Sequence, residues 1–358
     1  MDFPMLQSIY CIRMSLRSFL FTIIFFFVLF LFTEILLRIC LAFYGYPILK
    51  PGNYIYSGFY PALNEVIDKD IRNDDQIYDV LILGGSVISK PWSNMDFRLD
   101  TILQNRYGKD HQFAIYNTAA AGHTSMDNLI KYRLLHDKRF DLVIYYEAIN
   151  ENRANSIPKA DFRADYSHMK WYSDIYMLQS HSEINFTVIP FLADKLITAV
   201  RDKLQHKKYI SIDEVDQVYA QFGSDIKTAA TFKKNLTEMA DMAQIRGETL
   251  LLTSYATYFP ANVKLTGEES DMKYFAGCSY ASPVSIWGKS DNVKKGVDTH
   301  NQILRSIVSS RNMPFLDMET MMPKDASLFC DVCHVSEPGA QLFATKTASY
   351  LIDNKLFK

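Results

Sequence analysis

The sequence predicts an α/β protein built on a parallel, doubly wound sheet, preceded by one N-terminal transmembrane helix. Three observations carry this. Short apolar runs alternate with stretches of helical spacing from residue 78 onward, the pattern of a parallel sheet with crossover helices. The runs lead into turn-forming residues rather than into more apolar sequence. The first fifty residues hold an apolar block of quite different length. A chain of 358 residues has room for one large α/β domain or two smaller ones, and a hydrophobic fraction of 48% fills a sizeable core. A net charge of −2 gives no general attraction to nucleic acid, and five cysteines are too few for a disulfide scaffold.

Residues 1–17 form a short tail, and 18–43 the anchor. Ser18 to Leu37 is a run of 20 residues whose only charge is Glu34; about 20 residues cross the hydrocarbon. Arg38 follows Glu34 by one helical turn, so the pair neutralises itself at the interface. Tyr44 and Tyr46 supply an aromatic belt. The run is too long for the apolar core of a signal peptide and no small-residue cleavage site follows it, so a retained anchor is expected. Arg13 and Arg17 precede the span, Arg38 and Lys50 follow it, and the slight bias places the N-terminus in the cytoplasm and the large domain outside it.

Residues 44–77 read as a linker or cap, with Pro, Gly and Asn scattered through it, and 78–358 as the main domain. Strands are expected at Val80–Leu83, Phe113–Tyr116, Leu142–Tyr146, Leu250–Thr253 and Pro314–Leu316, and helices at Asp96–Tyr107, Ser125–His136, Thr231–Ile245, Val297–Ser309 and Pro338–Leu356. An insertion at about 156–215 breaks the rhythm; most of its aromatics (Tyr166, Trp171, Tyr172, Tyr176) are expected to pack its own core. The polar stretch at about 266–295 is long for a plain connection and reads as a lid or binding loop.

The chemistry gathers at four places. Leu83-Gly84-Gly85-Ser86 ends the first strand, where open α/β sheets bind ligands, and Ser86 is there either a nucleophile or a helix N-cap. Gly122 lies beyond the second strand and offers a backbone N–H. Asn150, in Tyr146-Glu-Ala-Ile-Asn150-Glu151, lies beyond the third. Asp331 and His334 stand three residues apart before the last helix, close enough for the carboxylate to orient the imidazole and leave Nε2 as a general base.

In this order and spacing the blocks resemble those of the SGNH hydrolases, the GDSL esterases and lipases. Gly84-Gly85-Ser86 stands where that family has Gly-Asp-Ser. Asn117-Thr-Ala-Ala-Ala-Gly122 is similar to its glycine-bearing block, Ala148-Ile-Asn150-Glu151 to its Gly-x-Asn-Asp block, and Asp331-Val-Cys-His334 to its Asp-x-x-His block. Gly85 in place of Asp and Ala148 in place of Gly are departures. The resemblance implies a flavodoxin-like three-layer α/β/α fold and a serine hydrolase with Ser86, His334 and Asp331 as its catalytic triad. It also implies an oxyanion hole of Ser86 N–H, Gly122 N–H and the Asn150 amide. His123 and Gly85 are candidate substrate contacts, though His123 is equally readable as a structural histidine. No cofactor is implied. The substrate would be an acyl ester, acetyl in particular, with an envelope glycan as the candidate carrier. The acyl group would go to water or to a sugar hydroxyl, with a membrane acyltransferase as a conceivable partner. The other-class reading is a non-catalytic scaffold keeping a degenerate hydrolase fold.

Other signals are weaker. Cys330 and Cys333 beside His334 invite a zinc site that lacks two further ligands. A disulfide from Cys278 to either is possible, but buried thiols are the plainer expectation. Glu147 and Glu151 could pose as a glycosidase pair, yet solvated or loop-capping roles are expected. The basic pairs Lys207-Lys208, Lys233-Lys234 and Lys294-Lys295 read as solvated faces.

Overall fold

The computed structural model describes residues 16–43, 47–51, 58–72, 76–108 and 112–357. Most of the expected N-terminal tail, including Arg13, and the Tyr44 and Tyr46 belt lie outside the described residues. In chain order the principal elements are α1 (Leu16–Phe43), β1 (Ile77–Gly84), α2 (Met95–Tyr107), β2 (Gln112–Asn117), α3 (Ser125–Leu134), β3 (Leu142–Tyr146), α4 (Lys170–Gln179), α5 (Ile189–Leu204), α6 (Ala229–Arg246), β4 (Thr249–Thr253), α7 (Ser290–Arg311), β5 (Phe315–Leu316) and α8 (Glu337–Asp353). The chain divides into two compact units, residues 1–56 with 177–205, and 57–176 with 206–358.

The larger unit holds a five-stranded sheet in the order β2-β1-β3-β4-β5, every pairing parallel. α2 packs with α8, while α3, α6 and α7 pack on one another, so helices cover both faces of the sheet. A strand covered on both faces must be apolar on both. Val80 to Leu83 and the whole of β3 are buried, and these continuous runs are what the sequence displayed. The order reverses between β1 and β3, so the crevice beyond their carboxyl ends is the switch point where such sheets bind ligands. Ser86 follows the first of these strands and Asn150 the second.

The polar stretch at 266–295 is shorter as a loop than expected, because α7 begins at Ser290 rather than Val297. Before it come two short 3-10 turns, Glu269–Tyr274 and Val284–Ile286. Cys278 and Cys330 form a disulfide and Cys333 remains a buried thiol. The expectation of plain thiols is thereby corrected for two of the three. The insertion's aromatics are not packed only on themselves. Trp171 donates its indole N–H to Asp127 at 2.8 Å. Tyr172 bonds the same carboxylate, and Tyr166 bonds Glu151.

In the smaller unit α1 is 28 residues long with a mean hydropathy of 2.7 over its most apolar stretch, long and apolar enough to cross a membrane. Thr22 and Thr33 return their hydroxyls to the carbonyls one turn earlier, which pairs both donors on an otherwise apolar surface. Glu34 is the buried residue of this helix. It accepts from Arg38 Nε at 2.5 Å, from Thr187 Oγ1 at 2.9 Å and from the backbone N–H of Val188 at 3.0 Å. Arg38 in turn donates to the carbonyls of Ile48, Asn185 and Phe186.

Candidate active site

β1 ends in Gly84-Gly85, and both glycines are required by what lies against them. A Cβ on Gly84 would stand 2.6 Å from the Tyr146 carbonyl, and one on Gly85 would stand 2.1 Å from Glu147 Oε2. The chain then turns into a short 3-10 segment, Ser86–Ile88, which leaves Ser86 at its head, buried but for 5% of its surface.

Ser86 Oγ lies 2.8 Å from His334 Nε2. On the far side of the ring, His334 Nδ1–H donates to Asp331 Oδ2 at 2.6 Å. That bond sets the tautomer, so Nε2 faces Ser86 as an acceptor. Asp331 is fully buried and held by three more donors. Oδ1 takes the N–H groups of Cys333 at 2.9 Å and His334 at 2.8 Å, and Oδ2 also takes the N–H of Ser282 at 2.8 Å. Burial alone would raise its pKa, but the facing His334 and these N–H groups outweigh burial and hold the carboxyl below its ordinary value. A carboxylate that stays ionised stabilises the imidazolium formed when His334 takes a proton. The three residues proposed from the sequence, 248 positions apart at the widest, thus meet in one hydrogen-bonded line.

The second block is stitched onto the same turn. Thr118 N–H donates to Ile82 O at 3.0 Å and Ala120 N–H to Gly84 O at 3.3 Å, while the Asn117 amide donates to Ile88 O at 2.8 Å. Gly122 has φ +77°, a turn geometry that explains its glycine without any ligand. His123 is buried with Nδ1 3.1 Å from Lys131 Nζ. Burial first, and the lysine second, drive its pKa to about 3. Its ring packs edge-on to Tyr60 at 5.4 Å. The ring is part of the packing, and it is the carbonyl of His123 that meets Asn150.

That carbonyl accepts the Asn150 amide at 3.0 Å, and a second bond from the same nitrogen goes to Glu147 Oε2 at 3.1 Å. Trp287 Nε1–H donates to Asn150 Oδ1 at 3.1 Å. An indole only donates, so it fixes which way round the amide stands. Both amide hydrogens therefore have partners inside the protein. Asn150 can offer one to an oxyanion only by exchanging the Glu147 bond for it. Ala148, one of the two departures, is fully buried, and Asn150 two residues on keeps this network.

Four contributors were not legible in the sequence as members of the site. Trp92 stacks on the His334 ring, centroids 4.0 Å apart and planes 17° from parallel. Trp287 tilts against the same imidazole at 5.7 Å. Ser282 braces Asp331. Glu147 fills the place beside Gly85, so the close approach that Gly85 permits is made by protein rather than left open for substrate. Neither Glu147 nor Glu151 is solvated. Burial pushes Glu147 well above the ordinary carboxyl range and Glu151 up to about 7. Glu151 accepts the Ser125 N–H at 2.6 Å, which is the capping role. Asp331, Cys333 and His334 place one donor atom each within 4.8 Å of one another. Two of the three already bond each other, and Cys330 is spent in the disulfide. Two clefts of about 610 and 440 Å³ open elsewhere in this unit, and neither is lined by Ser86, Asp331 or His334.

No family model matches the chain, and no curated protein matches it. Among solved structures it is similar to a GDSL-like lipase from Bacteroides thetaiotaomicron at 12% identity, covering 84% of this chain and 100% of that one, with a TM-score of 0.42. It is also similar to an acetylxylan esterase from Geobacillus stearothermophilus at 13% identity, covering 76% and 94%, TM-score 0.40. A further acetyl xylan esterase matches at 13% identity, covering 76% and 98%, TM-score 0.39. The site rests on its own distances. With the sheet order, those distances place a Ser-His-Asp line at the switch point of a parallel α/β sheet.

Proposed function

We propose that the chain is a membrane-anchored serine esterase or O-acyltransferase, and the observation that carries this is the unbroken line from Ser86 Oγ through His334 to Asp331. Ser86 Oγ attacks the ester carbonyl carbon as its proton passes to His334 Nε2. The tetrahedral oxyanion takes hydrogen bonds from the N–H groups of Ser86 and Gly122 and from the Asn150 amide. As it collapses, His334 returns the proton to the departing alcohol and the acyl group stays on Ser86. Water, or a sugar hydroxyl, then adds by the same steps in reverse. An acetyl ester on an envelope glycan is the substrate class this reading favours.

Placement outside the cytoplasm is supported by the Cys278–Cys330 disulfide, since such bonds persist in oxidising compartments. Retention of α1 is supported by Glu34, whose partners come from residues 187 and 188. Cleavage after α1 would strip these donors of their acceptor.

Purified full-length chain in detergent should hydrolyse a chromogenic acetyl ester and form a covalent adduct with a fluorophosphonate at Ser86. Ser86→Ala should lose both. A second reading is a non-catalytic scaffold, favoured by the Asn150 amide having both hydrogens engaged. Equal, background-level activity in wild type and variant, with no adduct in either, would select the scaffold.

A further inference from the structure

In the smaller unit, α5 is built inside out. Leu192, Ala193, Leu196, Ile197, Ala199, Val200 and Leu204 share one side of this helix by their 3.6-residue spacing, with Lys203 among them toward Leu192, and Asp194, Thr198, Arg201 and Asp202 share the other with the buried Phe191. In a helix that serves a soluble protein the first side would be covered. Here it is the bare one: Leu196 is 67% exposed and Leu204 76%, while Thr198 on the opposite side is 8% exposed. The polar side is tied up internally. His181 Nε2 meets Asp194 at 3.3 Å, Thr198 donates to Asp194 at 3.4 Å, and Arg201 donates to Thr198 at 3.2 Å. Just before the helix, Phe186 stands 86% exposed.

What covers this apolar side follows from where the helix is fastened. The turn that leads into α5 is clasped to the carboxyl end of α1 by Glu34 and Arg38, through the N–H of Val188, the hydroxyl of Thr187 and the carbonyls of Asn185 and Phe186. If α1 spans a bilayer, that clasp lies where α1 leaves the hydrocarbon. α5 has 16 residues, about 24 Å at 1.5 Å per residue, and carries Asp194, Lys195, Arg201, Asp202 and Lys203. It is too charged to span. Lys195, Arg201 and Lys203 suit the headgroup level, where a long basic side chain keeps its charge in water above an apolar face.

We infer that α5 is an interfacial helix, whose Leu196, Ile197, Val200 and Leu204 face lies in the bilayer beside the end of α1. The occupant of that face is lipid acyl chain. The inference rests on the reading of α1 as a retained span and adds a second contact to it. One span leaves a domain free to swivel; a second contact, fastened to the first, fixes which part of this unit meets the membrane.

The experiment uses full-length protein with Cys11 and Cys40 changed to Ser, reconstituted into phosphatidylethanolamine–phosphatidylglycerol vesicles. Single labels are placed at Phe27→Cys in α1, at Leu196→Cys and Leu204→Cys on the apolar side of α5, and at Lys195→Cys on its polar side. All four sites are on exposed surface, so the fold is not at stake. Lipids brominated in the acyl chain should quench the labels at 27, 196 and 204 and spare the label at 195. Quenching at 27 with none at 196 or 204 overturns the interfacial helix and leaves the anchor standing. Equal quenching at 195 and 196 overturns the one-sided seating. No quenching anywhere, Phe27 included, overturns the anchor and the interfacial helix together.

Discussion

A methyl group added at position 85 would meet Glu147 Oε2 at 2.1 Å and Asn150 Nδ2 at 3.0 Å. The glycine there is thus explained by a carboxylate from the next strand's end rather than by a turn. Gly85→Ala should push Glu147 aside and turn the Asn150 amide with it. Loss of one oxyanion donor costs about 10²–10³ in kcat, so a fall of about 10²-fold on an acetyl ester, with KM little changed, is expected. Full activity in this variant would exclude Glu147 and Asn150 from the site. Trp92 is a second residue whose role is visible only in space. Its ring lies flat on His334, where it favours the imidazolium that proton transfer creates. Such a contact is worth about 1–2 kcal/mol when desolvated. Trp92→Ala should therefore lower kcat roughly ten-fold, and Trp92→Phe should recover most of it, as measured by steady-state kinetics at fixed pH.

Among elements, the loop before α7 does most to assemble the triad, and it was the least legible. Its Cys278 is bonded to Cys330, one residue before Asp331; its Ser282 donates to Asp331; its Trp287 orients Asn150. Closing the 52-residue separation by a disulfide stabilises by about 4 kcal/mol in the chain-entropy account. Cys278→Ser should accordingly lower the melting temperature by several degrees and reduce kcat as Asp331 loses its brace. A variant with unchanged melting and activity would show the bridge to be dispensable. The strands were readable because a buried parallel strand is apolar on both sides, and Ser86, Asp331 and His334 because each sits in a contiguous motif. The start of α7 was not. Its N-cap residue Lys289 makes no capping bond, its first two turns hold a single apolar side chain, Val293, and Gly296 reads as a breaker. In the fold Gly296 is demanded by Asn152, whose Oδ1 would lie 2.0 Å from a Cβ there. Trp92, Trp287 and the partner of Cys278 carry no local signature, because each acts on a residue distant in sequence; Glu147 lies only three residues from Asn150, but its burial against Gly85 across the sheet is not written locally.

Across the whole molecule, the region around Ser86 holds ionisable groups taken out of water. Asp127, Lys131, Glu147, Glu151, Asp331 and His334 are all buried, and a fold that buries them to build a site gives up stability that depends on pH. Glu151 is the clearest case, since burial, only partly offset by Tyr166 and the Ser125 N–H, raises its pKa from 4.5 to about 7. A carboxyl whose folded pKa is raised favours the fold fully below its unfolded value. It loses that contribution as pH rises through the folded value, because the unfolded chain ionises first. Stability from this group should thus decline between pH 4.5 and about 7; at 1.36 kcal/mol per unit the full loss is of order 3 kcal/mol. Glu147 slopes the same way. Lys131 slopes oppositely at higher pH: burial lowers its pKa from 10.5 to about 7, so its contribution grows as pH rises above that. Glu151→Gln keeps the shape and an acceptor for Ser125 N–H but cannot ionise. The gap in melting temperature between variant and wild type should widen in the variant's favour from pH 4.5 to about 7 and then hold steady. Melting curves that run parallel across that interval would mean that Glu151 ionises as freely inside the fold as outside it, and that region would then have to be wet.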